Sequence, residues 1–173
     1  MRLGVISDSH KNLEYVNQVL GIFKKEKIDC VIHLGDDYSD IYNIEWAEFV
    51  KVPGVYDPEY TDRSIEHRKV LDFNGIKILL THVPENHKND FPEDIEPRIQ
   101  ADIEKVRLVL HGHTHNPSIS EKNGIIWLNP GHIKEETSRG CAPSYAFVDI
   151  ENGSIDIRIA ELCTGKEIFA LKR

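Results

Sequence analysis

Cysteine is scarce in this chain. The 173 residues hold three, Cys30, Cys141 and Cys163, odd in number, far apart and in no CxxC pair, which argues against a disulfide framework and a thiolate metal site. Long apolar runs are also missing. The first, LGVIS, is cut off by Asp8 well short of a signal-peptide core or a membrane span, and no later run is long enough, so a cytoplasmic protein without a membrane partner is expected. Positive charge is in deficit: 21 Lys and Arg against 29 Asp and Glu leave a net charge of -8 with histidine neutral. Such a surface repels nucleic acid and has no basic stripe for counterion release, which excludes an extended nucleic-acid surface. An anionic substrate must then be drawn by something local, and bound cations are the obvious candidate. Internal repeats, low-complexity tracts and Gly/Ser linkers are absent as well. With 40% hydrophobic residues, a single domain over residues 1–173 is expected.

What is present begins with four apolar runs of strand length, Leu3–Ser7, Cys30–Leu34, Ile76–Thr81 and Val106–Leu110, several of them continuous as in strands buried on both faces. Between the first two, Leu13, Val16, Leu20 and Phe23 recur at helical spacing behind a capping Asn12. Residues 40–50 repeat the helical pattern less clearly through Tyr42, Trp46 and Phe49, and a further helix is expected from Pro97 through Ile99 and Ile103. Later the pattern changes. Asn74-Gly75, Asn123-Gly124 and Asn152-Gly153 each separate apolar or alternating segments, a strong hairpin signal because both turn residues need positive φ. Helical units first and hairpins later predict an α/β fold, either a mixed sheet or two packed sheets, with helices outside. The polar stretch from Val83 to Glu96, interrupted twice by proline, reads as a loop and a candidate lid over His82.

Each of the four runs ends in carboxylate or imidazole: Asp8 and His10 after the first, Asp36 and Asp37 after the second, His82 after the third, and His111, His113 and His115 after the fourth. Ligands in open α/β sheets bind at the carboxyl ends of strands, so these groups could converge if the strands run parallel there. Carboxylate and imidazole without thiolate suit Mn²⁺, Fe²⁺, Zn²⁺ or Ni²⁺. Six or more such groups exceed the three protein ligands of one catalytic zinc, so two metals fit better; in such sites one ion generates hydroxide and both clamp the oxygens of an in-line displacement at phosphorus. A carboxylate must bridge the pair, and Asp36, after a glycine, is well placed. Taken singly, each of these residues has a plainer reading as a cap, turn or core residue. His33 reads as a core histidine, and His67 and His87 read as exposed.

Together these residues resemble the calcineurin-like metallophosphoesterase superfamily, whose blocks here read Asp8-Ser9-His10, Gly35-Asp36, Gly54-Val55-Tyr56-Asp57, Thr81-His82 and Gly112-His113-Thr114-His115. Order and spacing are similar to the small single-domain bacterial and archaeal phosphodiesterases, down to Asn129-Pro130-Gly131, an Arg-Gly pair and Ser144-Tyr145-Ala146. The resemblance implies two mixed β-sheets forming a sandwich flanked by helices, a four-layer fold. It also implies that Asp8, His10 and His115 bind one metal, that His82 and His113 bind the second, and that Asp36 bridges, with His111 outside the set. Two divalent ions, Mn²⁺ first, with Ni²⁺, Fe²⁺ or Zn²⁺ as alternatives, would be the cofactors, and a small phosphoester the substrate. A homodimer is an open assembly for such a chain.

One departure matters. Val55 stands where the family has an asparagine that ligates the second metal and helps hold the phosphate. Three readings compete: the second metal binds more weakly with Asp36, His82 and His113 alone; Asp57, Asp37 or water substitutes; or the site has decayed. Tyr56 likewise replaces the family's catalytic-acid histidine, as in the small phosphodiesterases. His132, after the Asn-Pro-Gly turn, is a candidate for leaving-group protonation or substrate contact, and Arg139 for a bidentate bond to the substrate phosphate. The expected function is a metal-dependent phosphoesterase, a phosphodiesterase before a phosphomonoesterase, with Asp36 and Asp57 besides His132 as candidate catalytic residues. The alternative is a non-catalytic protein-binding scaffold of the same fold with a degenerate second site.

Overall fold

The computed structural model describes residues 1–42 and 44–173. In chain order the elements are β1 (Arg2–Ile6), α1 (Leu13–Lys25), β2 (Cys30–His33), β3 (Glu48–Lys51), a 3-10 turn (Pro58–Thr61), β4 (Arg68–Phe73), β5 (Ile76–Thr81), α2 (Pro97–Glu104), β6 (Leu108–Leu110), β7 (Ser118–Lys122), β8 (Ile125–Asn129), β9 (Ser144–Glu151), β10 (Ser154–Glu161) and β11 (Glu167–Lys172). They form two sheets, with spatial orders β11-β10-β9-β1-β2-β3 and β4-β5-β6-β8-β7. Both are mixed: β1 runs parallel to β2 and antiparallel to β9, while β5 runs parallel to β6 and antiparallel to β4.

The three Asn-Gly pairs each make the expected two-residue hairpin, joining β4 to β5, β7 to β8 and β9 to β10. All six residues have positive φ, from 51° at Asn152 to 82° at Gly153, the signature of the turn type whose twist matches the strands it joins.

The strands alternate between two cores. Leu3 and Val5 of β1, Ile32 of β2, Ile78 and Leu80 of β5, Leu108 and Leu110 of β6 and Val148 of β9 fill the space between the sheets. Full burial of such side chains stabilises by roughly 1.5–3 kcal/mol each. The other face of the six-stranded sheet, with Ile6, Val31, Tyr145 and Phe147, takes Val16, Val19 and Phe23 of α1. Gly4 makes this contact close: a Cβ there would lie 2.6 Å from the Phe23 ring. Asn12 caps α1 by accepting the Tyr15 N–H through Oδ1 at 3.1 Å. Outside the second sheet, Ala101 of α2 sits on Leu79, Val109 and Trp127.

Three local expectations are corrected. The stretch 40–50 forms no helix over its described residues; it ends in β3, because backbone pairing with β2 outweighs a weak helical pattern. In α1 the buried stripe is Val16, Val19 and Phe23, with Leu13 54% exposed. In α2, Ile99 and Ile103 face outward, 50% and 64% exposed, because the small Ala101 lets the helix approach the sheet closely.

Candidate metal centre

The four strands that end in ligand-type residues lie two in each sheet, β1 beside β2 and β5 beside β6, so their carboxyl ends meet across the sandwich and not within one sheet. Backbone bonds tie each pair of loops, Asp8 N–H to Gly35 O at 2.9 Å and Gly112 N–H to His82 O at 2.9 Å. Two further bonds cross between the sheets: the His113 N–H donates to Asp8 Oδ2 at 3.0 Å, and His82 Nδ1 donates to Leu34 O at 2.7 Å.

This gathers the six expected residues into two groups of donor atoms, Asp8, His10 and His115 in one and Asp36, His82 and His113 in the other, each with its atoms within 4.8 Å of one another. In the first group, His115 Nε2 lies 3.1 Å from Asp8 Oδ1 and 3.2 Å from His10 Nε2. In the second, His82 Nε2 lies 3.4 Å from Asp36 Oδ1 and 3.3 Å from His113 Nδ1. Asp36 turns its other oxygen toward the first group, with Oδ2 3.8 Å from His10 Nε2. One carboxylate thus faces both sets.

Local backbone geometry is spent on this arrangement. Asp8, His10, Asp36, His113 and His115 all sit at φ between 46° and 68°, a left-handed conformation that costs free energy for such residues and persists where surrounding structure imposes it. Two glycines bring backbone against carboxylate. A Cβ on Gly54 would lie 2.8 Å from Asp36 Cγ, and one on Gly112 would lie 2.7 Å from Asp8 Oδ2.

The donor set fits divalent cations. Asp8 and Asp36 are buried, yet Oδ1 of each lacks a hydrogen-bond donor among the described residues, a costly state for a carboxylate oxygen unless a cation meets it. Tautomers are set from behind, as for metal-ligating histidines: Leu34 O holds His82 Nδ1–H and Ser138 Oγ lies 2.8 Å from His115 Nδ1, leaving each Nε2 toward the centre. The two carboxylates also bear on the His82 ring. Burial opposes charge on His82, but the Asp36 carboxylate beside it, helped by Asp8, pushes it up to about 9. Burial would raise Asp8, but the nearby His115 and His82 rings hold it well below the usual carboxylate range.

The remaining candidates lie around this centre. Asp57 accepts the N–H of Gly54 at 2.7 Å and of Asp36 at 3.2 Å, so its carboxylate holds the two loops on which Asp36 depends. His132 is buried with its ring 5.4 Å from that of His115; Nε2 donates to Cys141 O at 3.0 Å and Nδ1 accepts the Lys134 N–H at 3.2 Å, so both nitrogens are engaged. Arg139 is exposed at the rim, where Nη1 donates to Thr114 O. His111 is buried beside Trp127, and burial lowers it to about 4. Asp37 is half-buried, 4.0 Å from the Lys11 ammonium. Val55 packs with Tyr60 and Val83. Sequence reasoning missed the supporting groups Ser138 and Leu34 O, and it quoted Asn129 as part of a motif without a role; its Nδ2 bonds Gly112 O and Thr114 Oγ1 and its Oδ1 takes the Gly131 N–H.

The sequence profile of the calcineurin-like phosphoesterase superfamily domain matches residues 1–153. The chain belongs to that superfamily. It is 26% identical over 147 residues to a phosphodiesterase of Methanocaldococcus jannaschii, covering 76% of this chain and 83% of that one. It is 30% identical over 137 residues to a probable metallophosphoesterase of the same organism, covering 76% and 67%. Among solved structures, Vps29 of Entamoeba histolytica, complexed with zinc, superposes with a TM-score of 0.67 at 22% identity over 100% of this chain and 98% of that one, a likeness of fold. The mixed two-sheet sandwich is thus the superfamily's fold.

His67 departs from expectation. It is 3% exposed, and its group with Asp90 and Asp94 has the spacing of a metal site. The Arg68 guanidinium already occupies the cation's role there, 2.5 Å from Asp90 Oδ2 and 4.0 Å from Asp94 Oδ2. This buried network pins the loop from Val83 to Glu96, with His67 donating to Tyr60 O and bonded to Asp94.

Proposed function

We propose that this chain is a metal-dependent phosphodiesterase acting on a small phosphodiester through a two-cation centre, with Mn²⁺ the first choice of metal. The observation that carries the reading is Asp36, whose two buried oxygens face two separate donor groups. Asp8, His10 and His115 would hold one cation, His82 and His113 the other, and Asp36 would be shared. When bound, such a pair supplies Lewis acidity toward phosphoryl oxygens and water made acidic near neutral pH.

The chain's own residues do the rest. Leu34 O and Ser138 orient the His82 and His115 rings, Asp57 keeps the Asp36 loop against Gly54, and Asn129 braces the turn that carries His113 and His115. Arg139 at the rim has a guanidinium suited to a substrate phosphate. His132, with both nitrogens engaged, acts as a positioning residue beside His115.

A second reading, a protein-binding scaffold, is favoured by Val55, which offers the second group no donor. Against it stand six retained donors in two compact groups. The deciding experiment is hydrolysis of a chromogenic phosphodiester and its monoester by metal-stripped protein as Mn²⁺ is added back. Metal-dependent turnover of the diester in excess of the monoester is expected. Preference for the monoester would replace diesterase with phosphatase, and no turnover of either by a folded, Mn²⁺-loaded protein would sink the enzymatic reading.

A further inference from the structure

The loop from Val83 to Glu96 places one side chain, His87, against His113 of the candidate centre. His87, expected to be exposed, is half-buried with its ring edge-on to that of His113, centroids 5.8 Å apart and planes at 67°. Its position is built. The His87 N–H donates to Asp90 Oδ2 at 3.0 Å, and Asp90 is held by the Arg68 guanidinium and the Tyr60 hydroxyl. Nearby, Asn89 Nδ2 donates to Val55 O at 3.3 Å, tying the loop to the segment where the family's asparagine is missing.

The ring's tautomer follows from the same loop. Nδ1 accepts the Asn89 N–H at 3.2 Å, so the proton of the neutral ring resides on Nε2. That Nε2–H has no protein partner among the described residues, and His87 is not one of the group of Asp36, His82 and His113. A neutral donor, fixed in place beside a ligand of the second site and left unused by the protein, has the chemistry to bond an anionic phosphoryl oxygen.

We propose that His87 is a substrate-contacting residue whose Nε2–H donates to a phosphoryl oxygen bound at the His82/His113 side of the centre, making the phosphate contact that Val55 cannot make. The proposal rests on the phosphodiesterase reading and adds a residue to it. No proton is transferred in this role; the bond strengthens as negative charge gathers on the oxygen.

The test uses full-length, Mn²⁺-loaded protein as wild type, His87→Phe and His87→Gln. Phenylalanine keeps a flat ring against His113 without a donor, and glutamine restores an N–H. Calorimetry measures Mn²⁺ affinity and inorganic phosphate affinity; a chromogenic phosphodiester provides kcat and KM. A lost hydrogen bond to a charged group predicts phosphate binding weakened by about 10- to 100-fold in His87→Phe, with kcat/KM falling alongside. His87→Gln recovers part of both, and Mn²⁺ affinity stays within about twofold throughout. Phosphate affinity and kinetics in His87→Phe equal to wild type would overturn the inference. So would an equal loss of Mn²⁺ affinity, which would make His87 part of the metal shell. Failure of the phosphodiesterase reading looks different: wild type itself, loaded with Mn²⁺, binds no phosphate and turns over no diester, and the inference falls with it.

Discussion

Replacing Asp36 by Asn removes one charge and little volume at the one carboxylate that faces both donor groups, so it weakens both sites at once. Free Mn²⁺ at about 100 times its dissociation constant stabilises a single-site protein by roughly 2.7 kcal/mol. A chain of this length unfolds with an entropy near 2.1 cal/mol/K per residue, so that gain raises Tm by about 7 °C. If the substitution costs about 100-fold in affinity, the same Mn²⁺ concentration stabilises by about 0.4 kcal/mol, a rise of only about 1 °C. His113→Ala is the matched control, because His113 belongs to one group only and leaves Asp8, His10 and His115 intact. Scanning calorimetry over a Mn²⁺ series, with bound metal counted after dialysis, reads the difference. The expected order is wild type with two ions, His113→Ala with about one held tightly, and Asp36→Asn with the smallest shift. An Asp36→Asn protein that holds two ions and gains as many degrees as wild type would refute the bridging geometry. A wild type with no shift would refute the metal centre.

Three more outcomes follow from packing and charge. Gly4→Ala drives a Cβ to 2.6 Å from the Phe23 ring and should cost about 1–3 kcal/mol in urea unfolding; a neutral result would mean that α1 can shift freely on its sheet. Arg68→Leu leaves Asp90 and Asp94 without their buried cation and should cost about 3 kcal/mol or more while speeding proteolysis within residues 83–96; unchanged cleavage there would show that the network does not hold the loop. His33 is fully buried and burial lowers it to about 4, below its value of 6.5 in the unfolded chain, so the unfolded state binds its proton first as pH falls. Stability from this ring is present above pH 6.5 and declines toward pH 4 by about 3 kcal/mol, and His33→Gln should flatten that part of the pH profile of the metal-free protein.

The readable parts of this fold were those written locally. Asn-Gly hairpins state their register in two residues, and continuous apolar runs announce strands covered on both faces. Pairing between distant strands has no such local mark: β3 lies beside β2 because of hydrogen bonds to that strand, and residues 40–50 in isolation suggest a weak helix instead. The same holds for α2, where the isoleucine spacing pointed to one face and the small Ala101 decided the other. Convergence of the ligand strands was legible as a set of strand ends. That they approach from two sheets was not, since a sandwich and an open sheet place carboxylate and imidazole at the same sequence positions.

At the centre, residue type was informative because few plain roles call for aspartate and histidine at the ends of four strands. The groups that orient them carry no such signal. A backbone carbonyl at Leu34 and a serine at 138 look ordinary until their partners are known, and the asparagine that ends β8 shows its role only through the bonds it makes. His67 and His87 were hidden for the opposite reason: His67 sits among charged neighbours and His87 in a polar, proline-broken segment, compositions that read as solvated, while Arg68, Asp90 and Asp94 hold them in a pinned wall. Burial of that ion network is what brings His87 to His113. A valine at position 55 therefore does not by itself imply a lost site, because the contact it cannot make lies within reach of a loop that is anchored through Asp90 and tied by Asn89 to Val55 itself.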